Sequence, residues 1–554
     1  MKVVALHRPA PVSGISAAGA VMARLAAPHR PWRPLMIGAE ITPDVIAKSP
    51  LAGAPGLEVC TWPEATRAVD QVHRVRAKLD AMGADLVVPN DLPHGFLAGA
   101  YGRRVAGWYH SDSHEGEELF TRCGPLAYAW RCVSESALAR LVGVAQELGL
   151  RVPAPGPVMP VCIDVPARVT PLPPATPLRL VSLGRLENYH KRSLDLAVLA
   201  DELAELGTPF ELVIAGDGPA AGALAARVEP HVRAARVRLL GTRTHAESMA
   251  LLEAAHLLVL VSESEGDPTV VMEALARGRG VALTTGCGAA AARLAACSRT
   301  GQPHGVLVNT GAMRELAQAL AGALARAESP SQLAAWGAAG RELAARTFGP
   351  DSRGAIYDAF IADAANAQDT DDVEARWVAT VAALQAIGPV SFDELRGVAE
   401  RWTAERARHG RSTPTLSTDV NLPPMPAERR VRAALERLTR AGATRVALYG
   451  AGRHSRGLAR LLEHETLGGA ILEDAAAPGQ TLFGRPVVPL AEFARCGCDA
   501  IILSSDEHER SMLARVQEQL PGVPVAPLYM KVERDGDPSA QARAALAVPG
   551  HVLA

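Results

Sequence analysis

Seven residues separate Glu265 from Glu273 in the stretch Val261-Ser262-Glu263-Ser264-Glu265-Gly266-Asp267-Pro268-Thr269-Val270-Val271-Met272-Glu273. Carboxylates accept hydrogen bonds and take hydroxyl groups well. The apolar run 255–261 ahead of them predicts a short buried strand. Asp267 suits a helix N-cap, Pro268 the first helical position and Gly278 the stop. The segment therefore predicts strand, tight loop and helix, with the loop at the carboxyl end of the strand, where open parallel sheets bind ligands. First-turn amides of Thr269 and Val270 would then point out of the helix toward an anion such as a diphosphate. The plainer reading of the same residues is a surface helix with solvated acids.

The elements that must position these groups follow from the rest of the chain. Its 554 residues suggest about three or four domains. Hydrophobic content is 48% but aromatic content only 4%, so Ala, Leu and Val must fill the cores. A net charge of −2 gives no electrostatic case for nucleic acid or a strongly anionic membrane. No apolar run approaches the roughly 20 residues needed to span a bilayer, the start reads as a strand rather than a signal peptide, and the scattered cysteines suit reduced thiols in a cytoplasmic protein. Apolar strands alternating with helices predict α/β sheets covered on both faces. Five prolines between Pro166 and Pro177 mark a stiff boundary.

Several predicted strands end in residues with chemistry. The first strand, 2–6, leads to Ser13-Gly14, where a glycine lets backbone amides approach a phosphate, or simply turns the chain. A strand at 105–109 leads to His110-Ser111-Asp112-Ser113-His114. A metal site there lacks a distant ligand set, a solvated loop with capping acids is the plain alternative, and we predict no metal. The strand 178–183 runs into Gly184-Arg185 and on to Lys191. The strand 210–214 turns through Ala215-Gly216-Asp217-Gly218-Pro219.

These loops together resemble the GT-B retaining glycosyltransferases of family 4 over residues 1–365, most closely over 178–290. The resemblance implies an acceptor domain (1–165), a donor domain (177–349) and a terminal helix near 350–366 that packs back on the first. It implies a sugar moved from a nucleoside diphosphate sugar to an unknown acceptor, with no cofactor required. It places Arg185 and Lys191 on the donor diphosphate, Glu265 on sugar hydroxyls, Glu273 on the ribose and His110 near the reacting carbon, with Gly14, Gly216, Asp267, Thr269 and Val270 around the donor. Fixed cations would stabilise the charge that grows on the leaving group. Asp267 departs from the family, which has an apolar residue there; a carboxylate would recognise another sugar hydroxyl or cap the helix. Epimerase, hydrolase or phosphorylase chemistry on the same fold, and a non-catalytic nucleotide-binding scaffold, stay open, as do oligomeric state and peripheral membrane association.

Residues 367–428 read as helices and a linker, with a Ser391…Glu394 capping box. Residues 429–535 read as a further Rossmann-like domain. Gly450 and Gly452 open its first turn, Ser455 replaces the third glycine of the dinucleotide fingerprint, and Asp474 follows a second strand. Either NAD or another nucleotide binds that domain or the domain is structural, and both readings stay open; 536–554 is a tail.

Overall fold

The structure is a computed structural model. It describes all residues except 10–13, 26–31, 91, 111–113, 149–155, 189–190, 264, 326–328, 369–371, 389, 409–415, 417–425, 441, 451–469, 474–480, 483–484, 505–508 and 529–554. The chain forms two compact units, 1–422 and 423–554.

The first lobe of the larger unit alternates β1 (Val3–His7), α1 (Gly14–Leu25), β2 (Trp32–Ala39), α2 (Pro43–Lys48), β3 (Glu58–Trp62), α3 (Ala68–Met82), β4 (Leu86–Val88), α4 (Pro93–Ala100), β5 (Arg104–Tyr109), α5 (His114–Cys123), β6 (Ala129–Cys132) and α6 (Glu135–Leu148). The strand order is β3-β2-β1-β4-β5-β6, with parallel pairing. β1 is buried along its whole length, which is why it is written as one apolar run rather than an alternation. The strand order reverses between β1 and β4, and a crevice outside their carboxyl ends is the expected ligand position.

The second lobe repeats the plan: β7 (Leu178–Leu183), α7 (Asp195–Glu205), β8 (Phe210–Ala215), α8 (Ala221–Arg233), β9 (Val237–Leu239), α9 (His245–Glu253), β10 (Leu257–Leu260), α10 (Thr269–Ala276), β11 (Gly280–Thr284), α11 (Gly288–Arg299), β12 (Gly305–Val308), α12 (Met313–Ala325) and α13 (Ser329–Phe348). Its order is β12-β11-β10-β7-β8-β9. Edge strand β12 pairs with β11 and is only half-buried along its length, although its sequence, Gly305-Val306-Leu307-Val308, is apolar. His256, just before β10, accepts from the Arg179 amide at 2.9 Å and meets the Pro173 carbonyl at 3.1 Å, fastening the proline-rich connector to the start of β7.

The chain returns to the first lobe through α14 (Pro350–Asn366), which packs on β5 and β6. Gly349 is its N-cap and Pro350 its first residue, the arrangement a helix start favours. Tyr357 donates to the Pro160 carbonyl at 3.1 Å, Arg131 bonds Asp363, and the Ile163 amide donates to the Phe348 carbonyl at 3.1 Å. Both chain crossings between lobes therefore meet at Ile163 and Phe348. α15 (Val373–Ile387) and α16 (Phe392–Arg408) follow; α15 lies on α3, α4 and α5, where buried Arg376 donates to the Gly99 and Pro125 carbonyls. The Ser391–Glu394 capping box forms in both directions.

The smaller unit holds α17 (Pro426–Arg440), β13 (Val446–Tyr449), β14 (Ile471–Glu473), β15 (Thr481–Leu482), β16 (Arg485–Pro489), β17 (Ala500–Leu503), α18 (Glu509–Gln519) and β18 (Val525–Pro527). Its order is β15-β16-β14-β13-β17-β18, parallel except for β15 against β16. The whole chain is thus α/β, with three Rossmann-like sheets. No helix among the described residues is long and apolar enough to cross a membrane.

Phe348 is fully buried, and the Arg293 guanidinium lies 4.8 Å from its ring centroid. Phe348→Ala should destabilise the larger unit by about 3–5 kcal/mol, the usual cost of emptying a buried aromatic site. All seven tryptophans fall within residues 1–422, so tryptophan fluorescence during urea unfolding reports this unit alone. A midpoint unchanged by the substitution would show that the crossing point bears no load.

Candidate active site

The loop after β7 and the loop after β10 come together through charge. Glu265 is buried, with 7% of its side chain exposed, and Lys191 Nζ bonds its Oε1 at 2.6 Å. Ser262 Oγ donates to the same oxygen at 2.7 Å. A carboxylate taken out of water needs such partners, because an unpaired buried charge is very costly. Arg192, next to Lys191, adopts a left-handed backbone (φ 46°) and spans the same two loops, bonding Asp195 at 2.7 Å and Glu263 at 2.9 Å.

Glycines let these loops touch. A Cβ on Gly216 would stand 1.8 Å from the Gly184 carbonyl oxygen, and one on Gly218 would stand 2.4 Å from that of Leu186. On the other side, a Cβ on Gly288 would stand 2.0 Å from the Glu265 carbonyl oxygen. The loops after β7 and β8 are stacked, as are those after β10 and β11. Arg185 stands on the first pair, half-exposed, with its guanidinium on buried Glu187. Asp217 accepts from the Gly218 amide at 2.7 Å and serves the turn.

Asp267 does not cap the helix. α10 starts at Thr269, one residue later than expected; Pro268 is its N-cap residue, and no side chain caps it. The Asp267 carboxylate instead makes a two-pronged bond to Arg293 of α11, one arm at 3.1 Å, and only 1% of its side chain is exposed. A charged two-point pair outcompetes a single bond to a backbone amide. Thr269 and Val270 remain at the helix N-terminus, both half-buried, where first-turn amides face outward.

Glu273 lies one turn further along α10, 3.7 Å from His245 Nε2 of α9. Burial pushes its carboxyl up to about 7, against the pull of Arg277 and with the help of Asp164. Burial likewise lowers His245. A carboxyl at about 7 is half ionised at pH 7, so Glu273 carries only part of a full charge beside His245.

Across the cleft, His110 follows β5. A Cβ on Gly266, beside Glu265, would stand 3.7 Å from the His110 carbonyl oxygen, so the two lobes approach each other here. The His110 ring packs on Trp108, centroids 4.2 Å apart, and its Nε2 lies 3.2 Å from Asn90 Oδ1. Burial first, and His7 second, push its pKa down to about 3. His7, at the end of β1, is also buried and lowered to about 3 by burial.

Of the expected site residues, the structure joins Lys191 directly to Glu265 and sets His110 against the same loop. Arg185 and Gly216 lie on the adjoining stacked loops, and Glu273 lies on the helix that continues from the Glu265 loop. Gly14 opens α1. Asp112 falls outside the described residues, and no group of three metal-ligating side chains occurs among those described. Asn90, His245, Ser262 and Arg293 were not singled out from sequence. Asn90 carried a signal, an Asn after Pro at a strand end, and it does take a left-handed φ of 47°. In the smaller unit, a Cβ on Gly450 would stand 2.7 Å from the Ser504 carbonyl oxygen, which by itself accounts for a glycine. Gly452, Ser455 and Asp474 lie outside the described residues.

Residues 177–326 match the sequence profile of the glycosyl transferases group 1. The chain thus carries a glycosyl transferases group 1 domain. Among solved structures, HepE from Anabaena in complex with UDP-glucose is similar to this chain at 16% identity, over 65% of this chain and 100% of that one, with a TM-score of 0.51. Sucrose-phosphate synthase from Thermosynechococcus elongatus follows at 18% identity, 65% and 99% coverage and a TM-score of 0.47. A TarM variant from S. aureus is similar at 14% identity with a TM-score of 0.42, over 52% of this chain and 58% of its own length. At such identities the HepE likeness shows the fold, which is GT-B. No curated protein matches the chain.

The raised Glu273 pKa makes a signed prediction. A folded-state pKa near 7 against 4.5 when unfolded means that stability present below pH 4.5 is lost as pH rises to about 7, by up to about 3 kcal/mol. Glu273→Gln should therefore gain stability relative to the parent across that window. Unfolding free energies at pH 5 and pH 8 read this directly, and a difference that does not change with pH would refute it.

Proposed function

We propose that this glycosyltransferase moves a sugar from a nucleoside diphosphate sugar to an acceptor held by the first lobe, with retention of configuration at the anomeric carbon. The direct Lys191–Glu265 pair, formed between two loops inside the group 1 domain, is the observation that carries the reading. A cation and a carboxylate side by side suit a site that takes a diphosphate and the hydroxyls of the sugar it carries.

In this reading the donor diphosphate lies against Lys191, Arg185 and the uncapped N-terminus of α10, with the amides of Thr269 and Val270. As the glycosidic bond breaks, negative charge builds on the leaving oxygen, and these fixed positive groups stabilise it without needing to reorganise. Glu265, held by Lys191 and Ser262, accepts from sugar hydroxyls. Glu273 takes the ribose hydroxyls, and His110 meets the substrate from the opposite lobe. Binding two substrates between lobes that exclude water supplies the remaining advantage through orientation. The structures of HepE with UDP-glucose make a uridine nucleotide the first donor to try.

The domain limits 1–165, 177–349, 367–428 and 429–535 belong to the same proposal, with the smaller unit serving as a nucleotide-binding module.

Lys191→Ala should lower transfer by roughly 100-fold or more, the usual loss when one preorganised electrostatic group is removed, while the circular dichroism spectrum stays that of the parent. The assay is a panel of nucleotide sugars with turnover read by mass spectrometry, and the anomeric proton coupling of the product reads retention. Unchanged donor turnover in the variant would remove Lys191 from the site.

A further inference from the structure

Asn90 stands at the carboxyl end of β4, buried to 5% exposure, in a left-handed backbone conformation that asparagine tolerates better than most side chains. Its two amide atoms have different partners. Nδ2 lies 3.1 Å from the carbonyl oxygen of Leu6 on β1, and Oδ1 lies 3.2 Å from His110 Nε2. A backbone carbonyl only accepts, so the atom facing it must be the NH2 group, and this sets the orientation of the amide. The oxygen facing His110 then only accepts as well. His110 Nε2 must carry the proton of that bond, and in a neutral ring Nδ1 is left with a lone pair.

We infer that Asn90 is a positioning residue, which holds His110 in the Nε2–H form so that Nδ1 accepts a hydrogen bond from a substrate hydroxyl. The inference rests on the placement of His110 in the transfer site. The surroundings favour a neutral ring. Trp108 covers one side, and among the described residues His7 of β1 is the titratable group that acts on it. His7 is itself buried, with both ring nitrogens unpartnered. Among the described residues no carboxylate contributes to the His110 ionisation, and burial and His7 both disfavour a second proton. A doubly protonated ring would offer Nδ1–H and could not take a hydroxyl proton.

The full-length chain, labelled with 15N-histidine, tests this by long-range 1H–15N correlation. The parent should show His110 with Nε2 protonated and Nδ1 bare, unchanged from pH 8 to pH 5. Asn90→Asp places a carboxylate on Nε2 and should raise the pH of second protonation by roughly one to three units. Asn90→Gly keeps the left-handed backbone without the amide, and its His110 signals should move toward a mixture of tautomers. A parent ring protonated on Nδ1, or a Gly variant with an unaltered tautomer, would overturn the inference.

The substrate half is read separately by adding UDP-glucose, or UDP with free glucose, to the parent. An upfield shift of Nδ1 with UDP-glucose alone assigns the hydroxyl to the donor sugar, and a shift only with the second mixture assigns it to the acceptor. No shift in either would remove His110 from the transfer site while leaving its tautomer, and the part of Asn90 in setting it, as measured.

Discussion

The rim of the second lobe is organised by the need to keep one buried negative charge supplied with partners. A carboxylate buried as Glu265 is needs polar partners, and its cation and its hydroxyl both come from loops rather than from regular elements. Lys191 must therefore be brought in from the end of β7, and Ser262 from three residues upstream. That meeting is permitted by glycines, since stacked backbones at Gly216, Gly218 and Gly288 leave no room for a Cβ. A single electrostatic demand thus fixes loop spacing, and loop spacing fixes where a ligand fits.

Asp267 shows how a second carboxylate can be kept out of the way. As an N-cap it would have placed negative charge on the helix terminus that the proposed diphosphate needs. Drawn to Arg293 and buried, it leaves the amides of that terminus uncapped, and it ties the loop to a guanidinium that also covers Phe348. The positive end of the helix dipole is left without a compensating acid.

Much of this was legible in the sequence because it is local. Buried parallel strands are written as short apolar runs, their ends carry glycines and charges, and a capping box such as Ser391–Glu394 needs only four residues to be recognised. What was not legible depends on distant partners. An N-cap rule reads the residues beside Asp267, whereas its actual partner lies 26 positions on. Asn90 and His110 are twenty residues apart and meet only because β4 and β5 are neighbours in the sheet. The ionisation of Glu273 follows from burial, which no spacing encodes.

The two passages of the chain between lobes lie one hydrogen bond apart, at Ile163 and Phe348. Two pivots that nearly coincide leave the lobes a swivel about a common point, while sliding one lobe along the other would shear both connections at once. The proline-rich connector and Gly349 flank that point, so backbone rotation can be concentrated there. Any breathing of the cleft would then change its mouth while the facing loops keep their alignment.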